Sequence, residues 1–407
     1  MAKRTNDLPK KAYKFRVFDH TAPKPFFAQS FGCTRWTFNQ ALGYVNHAWE
    51  KTGSFPTKNE VVKQIPQWKV AFSFLEEVDS IILQKAVEDL FEGFDCFKKT
   101  KGKQMKKSFI KQVKMIPSLS PKVWDFKGYP RFKSKRHSKK SFTTKMTNEN
   151  IKLVQIDNKH YVKLPKCNHL IRFKKTREIE GDIKTVQVET DNLGKTYITF
   201  TCELLSSKIV PKATNDALGI DVGLTSLITD SNGNHLPVPV RYSSYKKRLT
   251  FLQRKFSRQQ KGSSSREKTR RKMAKLHQKI YNTRLDHLHK LTYRLVRDNQ
   301  TIAMEDLDVK QMLEARKYSN SIAHASWGKL KELLTYKCKS YGRTLIKVDR
   351  YFPSTQMCSA CSDINPALKG NTTIRKWTCS TCSASHDRDH NAAINILNEA
   401  KKMVSAT

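Results

Sequence analysis

Cys358-Ser-Ala-Cys361, then seventeen residues, then Cys379-Ser-Thr-Cys382-Ser-Ala-Ser-His386-Asp387-Arg388-Asp389-His390-Asn391-Ala392-Ala393: this run decides how the rest of the chain is read. Two CxxC pairs bring four sulfurs to one point, which is what a Zn²⁺ ion needs to close a tetrahedron. All four positions would be filled by thiolates, so the expected zinc is structural rather than catalytic, and a zinc ribbon is expected over 354–384. Immediately after it, Asp387 and Asp389 stand at the start of an apolar-periodic segment that reads as a final helix from about Asp389 to Lys401. A carboxylate there can be a simple N-cap or an anionic metal ligand.

Working back from this run, the order of elements supplies a fold. Leu218-Gly-Ile-Asp-Val222 reads as a buried strand, Leu224–Thr229 as its hairpin partner after Gly223, and 235–240 as a third strand. Two long basic helices follow, with Gly262-Ser-Ser-Ser265 as the turn; residues 241–290 hold seventeen Lys/Arg against Glu267 and Asp286. Then come a strand at 301–307, a helix at 325–341, a strand at 344–348, the ribbon and the last helix. This is a ribonuclease-H-like α/β layout with the ribbon inserted before the last helix. It sets Asp221, Glu305 and Asp387 or Asp389 at strand or helix ends, although each alone is equally a turn or cap residue. Together they suit two-metal phosphodiester hydrolysis, in which Mg²⁺ takes carboxylate oxygens while thiolates select zinc.

The first half is organised differently. Tyr13, Phe15 and Val17 alternate with Lys14 and Arg16, a strand with one basic face. Phe38, Leu42, Val45 and Trp49 then predict a helix ending near Gly53, and Leu83, Val87, Leu90, Phe94 and Phe97 predict a second. Residues 98–140 carry sixteen Lys/Arg and one acid, Asp125, and include Gly128-Tyr-Pro-Arg131-Phe-Lys133-Ser-Lys135-Arg136. That mixture suits a strap that tracks phosphates while its rings stack on bases. Four short strands are expected between 141 and 205; with the first strand they make a barrel, so the helical unit is an insertion.

Composition narrows the partner. With 77 Lys+Arg against 36 Asp+Glu, the formal net charge is +41, and a polyanion is needed to offset that self-repulsion. Four of nine cysteines belong to the knuckles; Cys33, Cys96, Cys167, Cys202 and Cys338 are scattered, as expected of free thiols in a reducing compartment. No apolar run approaches membrane-spanning length and the N-terminus has no leader-like core, so a cytoplasmic, nucleoid-associated protein without membrane contact is expected.

Gly219-Ile-Asp-Val-Gly-Leu224, Glu305-Asp-Leu307, Pro353-Ser-Thr-Gln-Met-Cys-Ser-Ala-Cys361 and Asp387-Arg-Asp-His-Asn-Ala-Ala393 resemble TnpB, the RNA-guided nuclease family of insertion sequences related to compact type V CRISPR effectors. Gly128–Lys133 and Phe31–Asn39 resemble the family's linker and first helix. The resemblance implies a wedge β-barrel from 8–25 plus 135–212, a helical recognition domain at 26–134, and a RuvC nuclease domain at 213–407. It implies Mg²⁺ (or Mn²⁺) on Asp221, Glu305 and Asp389, Arg388 near the scissile phosphate, and zinc on Cys358, Cys361, Cys379 and Cys382. Nucleic-acid contacts are expected at Gln84, Thr147 and Asn148, where relatives read a motif flanking the target, and at Arg131, Lys133, Lys135 and Arg136. Ser80 stands where a relative carries lysine. The expected partners are a structured guide RNA from the element's end, in a 1:1 complex with one chain, and double-stranded DNA cut by one site. The basic stretch 98–125 is longer than the resemblance accounts for, and the chain has no long tail. A nuclease-dead guided repressor, a ribonuclease-H-like transposase and a CRISPR effector are the competing readings.

Overall fold

The computed structural model describes residues 10–18, 22–115, 128–204, 215–237, 241–314, 321–322, 325–371 and 373–405, without the side chains of 99–115 and 241–244. Four expectations lie at least partly outside the described residues: the segment 8–25, the basic strap 98–140, the junction of the segments 135–212 and 213–407, and the end of the strand 235–240. The chain divides into two compact units, residues 1–206 and 207–407.

In the first unit two antiparallel sheets share one core. One has the order β1-β7-β6-β2, from β1 (Lys10–Arg16), β2 (Lys140–Lys145), β6 (Asp182–Thr190) and β7 (Thr196–Glu203). The other is β3 (Lys152–Ile156), β4 (Lys159–Lys163) and β5 (Ile171–Phe173), joined to the first by a bridge between Val17 and Phe173. Tyr13, Phe15, Phe142, Val162, Ile171, Val186, Ile198 and Phe200 fill the space between them. Strands β2 and β5 add to the four expected: β2 buries only Phe142 and Thr144 of six residues, and β5 is three residues long, so neither shows a full alternation.

Between β1 and β2 lie α1 (Lys24–Thr52), α2 (Lys58–Val62), α3 (Ile65–Ala71) and α4 (Ser80–Met115). Gly53 ends α1 at φ +64°, its N–H donating to Trp49 O. Phe38, Leu42 and Val45 of α1 pack on Leu83, Val87, Leu90 and Phe94 of α4. The helix α4 runs to Met115, well beyond the apolar stripe that ends at Phe97. Lysine-rich sequence is good helix former, and the first proline after the stripe is Pro117.

The second unit is a five-stranded sheet of order β10-β9-β8-β11-β12, with helices on both faces. Its strands are β8 (Asn215–Asp221), β9 (Ser226–Asp230), β10 (His235–Pro237), β11 (Asn299–Glu305) and β12 (Thr344–Val348). The first three form an antiparallel meander, whereas β11 pairs parallel with both β8 and β12. Helices α5 (Arg241–Arg258) and α6 (Ser264–Asp298) form the basic hairpin; Ser263 caps α6 by accepting from Arg266 N. A short α7 (Val309–Glu314) precedes α8 (Trp327–Ser340), and α9 (Arg388–Ser405) ends the described chain.

Period-2 alternation on β11 sorts the two faces. Ile302 and Met304 meet Leu288, Leu291 and Leu295 of α6 and Leu330, Leu333 and Leu334 of α8. Ala303 faces the other way, onto Ile396 and Ala400 of α9. The helix α9 approaches β8 so closely that a Cβ on Gly219 would stand 2.2 Å from Ala393 O.

Candidate active site and metal centre

That close approach builds the carboxylate cluster. Asp221 ends β8 and Glu305 ends β11, and the parallel register Met304↔Ile220 puts them side by side at one sheet edge. Neighbouring strands are about 4.8 Å apart, so the two carboxylates share one small space. Asp389 enters it from the first turn of α9. Asp387 does the capping instead: its Oδ1 accepts from Asp389 N (3.1 Å) and His390 N (3.0 Å). Asp389 is thereby left to face the sheet.

The electrostatics register the crowding. Burial, then the charges of Glu305 and Asp389, push Asp221 up to about 7, with only the Arg388 charge and the Val222 N–H pulling the other way. Burial also raises Glu305, against a hydrogen bond from Ser354 Oγ. Burial and neighbouring carboxylate charge hold back ionisation at Asp221, and burial does so at Glu305. Oxygen donors in that state suit a hard divalent cation, which would offset the charge, although among the described residues only the four cysteines already bring their ligand atoms within 4.8 Å of one another.

Two arginines already flank the cluster. Arg375 Nη1 donates to Asp389 Oδ2 (2.8 Å) and its Nη2 to Thr225 Oγ1 (3.0 Å). Arg388 donates to Asp389 Oδ1 from Nε and Nη2 (both 3.2 Å) and to Asn371 O from Nη1 (2.9 Å). Arg388 is thus a brace between the ribbon and Asp389, with most of its side chain covered. Sequence reasoning missed Arg375, Thr225 and Ser354. Arg375 lies two residues before Trp377 in the ribbon, and only the pairing of β13 (Lys376–Thr378) with β14 (Ser385–Asp387) brings it beside Asp389.

The four cysteines form the second cluster. Their sulfurs all lie within 4.8 Å of one another, with Cys358–Cys382 and Cys361–Cys379 at 3.6 Å. Tetrahedral Zn–S bonds of about 2.3 Å put sulfurs about 3.8 Å apart, so the set fits zinc. The crowded sulfurs split in their titration: the backbone N–H groups of Cys382 and Thr381 help to bring Cys379 down to about 7, while the neighbouring sulfurs help to hold Cys361 and Cys382 up. His386 Nε2 lies 3.1 Å from Cys358 Sγ and outside the four-sulfur set.

The remaining candidates lie in the first unit. Gln84 is exposed near the start of α4, one turn before Glu88, which pairs with Lys145 (2.8 Å) on the strand leading to Thr147 and Asn148. These three therefore lie around one corner. Asn148 has φ +49°, and Thr147 N donates to Asn150 Oδ1. Lys69 Nζ donates to Ser80 Oγ (2.6 Å), so an ammonium reaches that position from α3. Arg131, Lys135 and Arg136 are exposed, but Lys133 turns inward. Its ammonium lies 3.6 Å from the Phe38 ring centroid, its backbone is gripped by the Asn39 amide, and burial lowers its pKa. Of the strap's rings, Tyr129 is core, donating to Asn46 Oδ1 (2.7 Å), while Phe132 is exposed. Stacking on bases is therefore open to Phe132 and closed to Tyr129.

Residues 186–316 match the IS605 OrfB family model, described as a probable transposase, and 327–396 match the Cas12f1-like TNB domain. Residues 9–54 match an IS605 OrfB helix-turn-helix domain, although the described residues there hold one strand and one 29-residue helix. A Streptomyces pristinaespiralis protein named RNA-guided DNA endonuclease is 35% identical over 393 residues, covering 95% of this chain and 89% of the relative. An Escherichia coli K12 protein named RNA-guided DNA endonuclease InsQ is 26% identical over 404 residues, covering 95% and 91%. Among solved structures, a Cas12f1–sgRNA–target DNA complex covers 97% of this chain and 99% of its own with a TM-score of 0.51. At 12% identity that likeness speaks for the mixed α/β fold alone.

Proposed function

This chain belongs to the TnpB (IS605 OrfB) family, with a Cas12f1-like TNB domain, and from that premise we propose that it is an RNA-guided, Mg²⁺-dependent DNA endonuclease of a transposable element. The observation that carries the proposal is the meeting of Asp221, Glu305 and Asp389 at one sheet edge. A ribonuclease-H-like (RuvC) reading is supported by the strand order and by the placing of α9 across β8. In it the three carboxylates hold Mg²⁺ (or Mn²⁺), which when bound supplies activation of water and stabilisation of the leaving oxygen. The rest falls to the chain. Arg388 and Arg375 orient Asp389 and bring positive charge to where a phosphate would lie, and the sheet keeps the acids together before any cation arrives.

On this reading one chain binds one structured RNA from the element's end, and pairing to that RNA selects the double-stranded target. The surface around Gln84, Thr147 and Asn148 reads the flanking motif, and exposed Arg131, Lys135 and Arg136 follow phosphates. The four-cysteine site holds structural zinc. Among the described residues no helix is long and apolar enough to cross a membrane.

The test is a cleavage assay with the protein purified on its co-expressed element RNA. Asp221→Ala should lower double-strand cleavage by about 10³-fold, since the cation's contribution is worth several kcal/mol, while RNA-dependent target binding persists. Guided binding without cleavage by the unaltered protein would select the repressor reading. Joining of element ends would select the transposase.

A further inference from the structure

Two buried asparagines fasten the first cysteine knuckle to the last helix. Asn391 and Asn395 lie one turn apart on α9, 1% and 2% exposed. Asn391 Nδ2 donates to Met357 O (2.7 Å) and its Oδ1 accepts from Ser359 N (2.9 Å), so it grips the backbone on both sides of Cys358. Asn395 Nδ2 donates to Met357 O (2.7 Å) and to Ser354 O (2.8 Å). Ser354 is itself buried, and its hydroxyl donates to the Glu305 carboxylate.

A buried primary amide is costly unless it is hydrogen-bonded, and an apolar side chain would pack as well at i and i+4 on a helix facing a sheet. Here both amides spend their bonds on one segment, 354–359, which runs from the Glu305 contact into the knuckle. On the other side of the ribbon, β14 ends at Asp387, whose carboxylate caps the backbone of Asp389. The ribbon therefore reaches two of the three acids by separate hydrogen-bonded routes. Besides these asparagines, the knuckle is held by a three-residue hairpin, the Met357–Ile364 bridge, turn hydrogen bonds and a small core of Leu368 and Trp377 around Cys358 and Cys379.

We propose that Ser354, Asn391 and Asn395 are positioning residues that couple the four-cysteine site to Glu305 and Asp389, so that the acids bind a divalent cation tightly only when the ribbon is closed on zinc. The proposal rests on the carboxylate reading above. Ser354 aims the Glu305 oxygen, and the asparagines keep Ser354 and the knuckle in register with the helix that carries Asp389. Hydrogen-bond partners of metal ligands typically control affinity by roughly 10- to 100-fold.

The experiment is Mn²⁺ titration of the RNA-loaded protein, followed by electron paramagnetic resonance, with zinc counted by elemental analysis. Asp221→Ala comes first: if it binds Mn²⁺ like the unaltered protein, the carboxylate reading itself fails. Ser354→Ala should retain one zinc per chain and lose roughly 10- to 100-fold in Mn²⁺ affinity, and Ser354→Thr, which keeps the hydroxyl, should recover most of it. Stripping zinc from the unaltered protein should cost at least as much, while stripping it from Ser354→Ala should add little, because the two act on one route. Unchanged Mn²⁺ affinity in Ser354→Ala, loss of its zinc, or fully additive losses would overturn the proposal.

Discussion

The cysteine and carboxylate clusters sit in the same unit and are built by opposite means. The four cysteines come from one short stretch, 358–382, and approach one another through turns and the β13–β14 hairpin. Their geometry is local, set by turns, a hairpin and a small core of Leu368 and Trp377 around Cys358 and Cys379. The three acids are spread over 221–389 and converge because a packed sheet and helix leave them nowhere else. They repel one another, and the fold holds them against that repulsion. On the proposed reading, zinc would lock the shape of one cluster, whereas the other has its shape imposed by the fold and would take a divalent cation for charge.

Removing a sulfur is the harshest test of the first half of that statement. Cys358→Ser should abolish tight zinc binding, which amounts to roughly 10–16 kcal/mol of apparent binding energy in zinc-finger peptides. Proteolysis should then cut within the ribbon while the sheet core resists. A ribbon that stays protease-resistant without zinc would mean the knuckle is shaped by packing after all. The matching test of the second half attacks the fold rather than the ligands. Gly219→Ala sets a Cβ 2.2 Å from Ala393 O and 2.8 Å from Leu397 Cβ, so α9 must move off β8 and carry Asp389 with it. Such overpacking costs typically about 1–3 kcal/mol, and cleavage should fall much further than stability. Gly43→Ala, which meets nothing within 4 Å on α1, is the control and should be neutral or slightly stabilising.

The same contrast explains what was legible in the sequence. The knuckles could be read directly because spacing alone brings their ligands together. The apolar order around Leu218–Val222, Thr301–Leu307 and Thr344–Val348 was enough to lay out the second sheet, since buried parallel strands show as short continuous apolar runs. Arg375 and Ser354 were not legible: each acts across a hairpin or a loop, and nothing local distinguishes the exposed Arg375 from other arginines or the buried Ser354 from other serines. The strap shows the reverse failure. Tyr129 and Lys133 sit in a pattern of alternating rings and charges that reads as nucleic-acid binding, yet Tyr129 fills the helical core and Lys133 lies on Phe38. Composition located the strap; contacts with α1 and α4 decided which of its residues face out.

The gentlest test asks whether the acids are held against their own charge. Asp221 has its pKa raised from 3.8 to about 7, first by burial and then by Glu305 and Asp389, so the native protein keeps a proton there that the unfolded chain has lost. Without a divalent cation, that group should therefore cost stability progressively as pH rises from about 4 to about 7, and in full above it. Asp221→Asn removes the titration while keeping the shape. In chelator at pH 8 the variant should unfold at a higher temperature than the unaltered protein, by up to about 4 kcal/mol before solvent screening, and the gap should close toward pH 4. Saturating Mg²⁺ should narrow the gap from the other side, by stabilising only the protein that can bind it. Equal melting temperatures across the whole range would mean that solvent already relieves the repulsion, and the contrast with the cysteines would reduce to one of spacing.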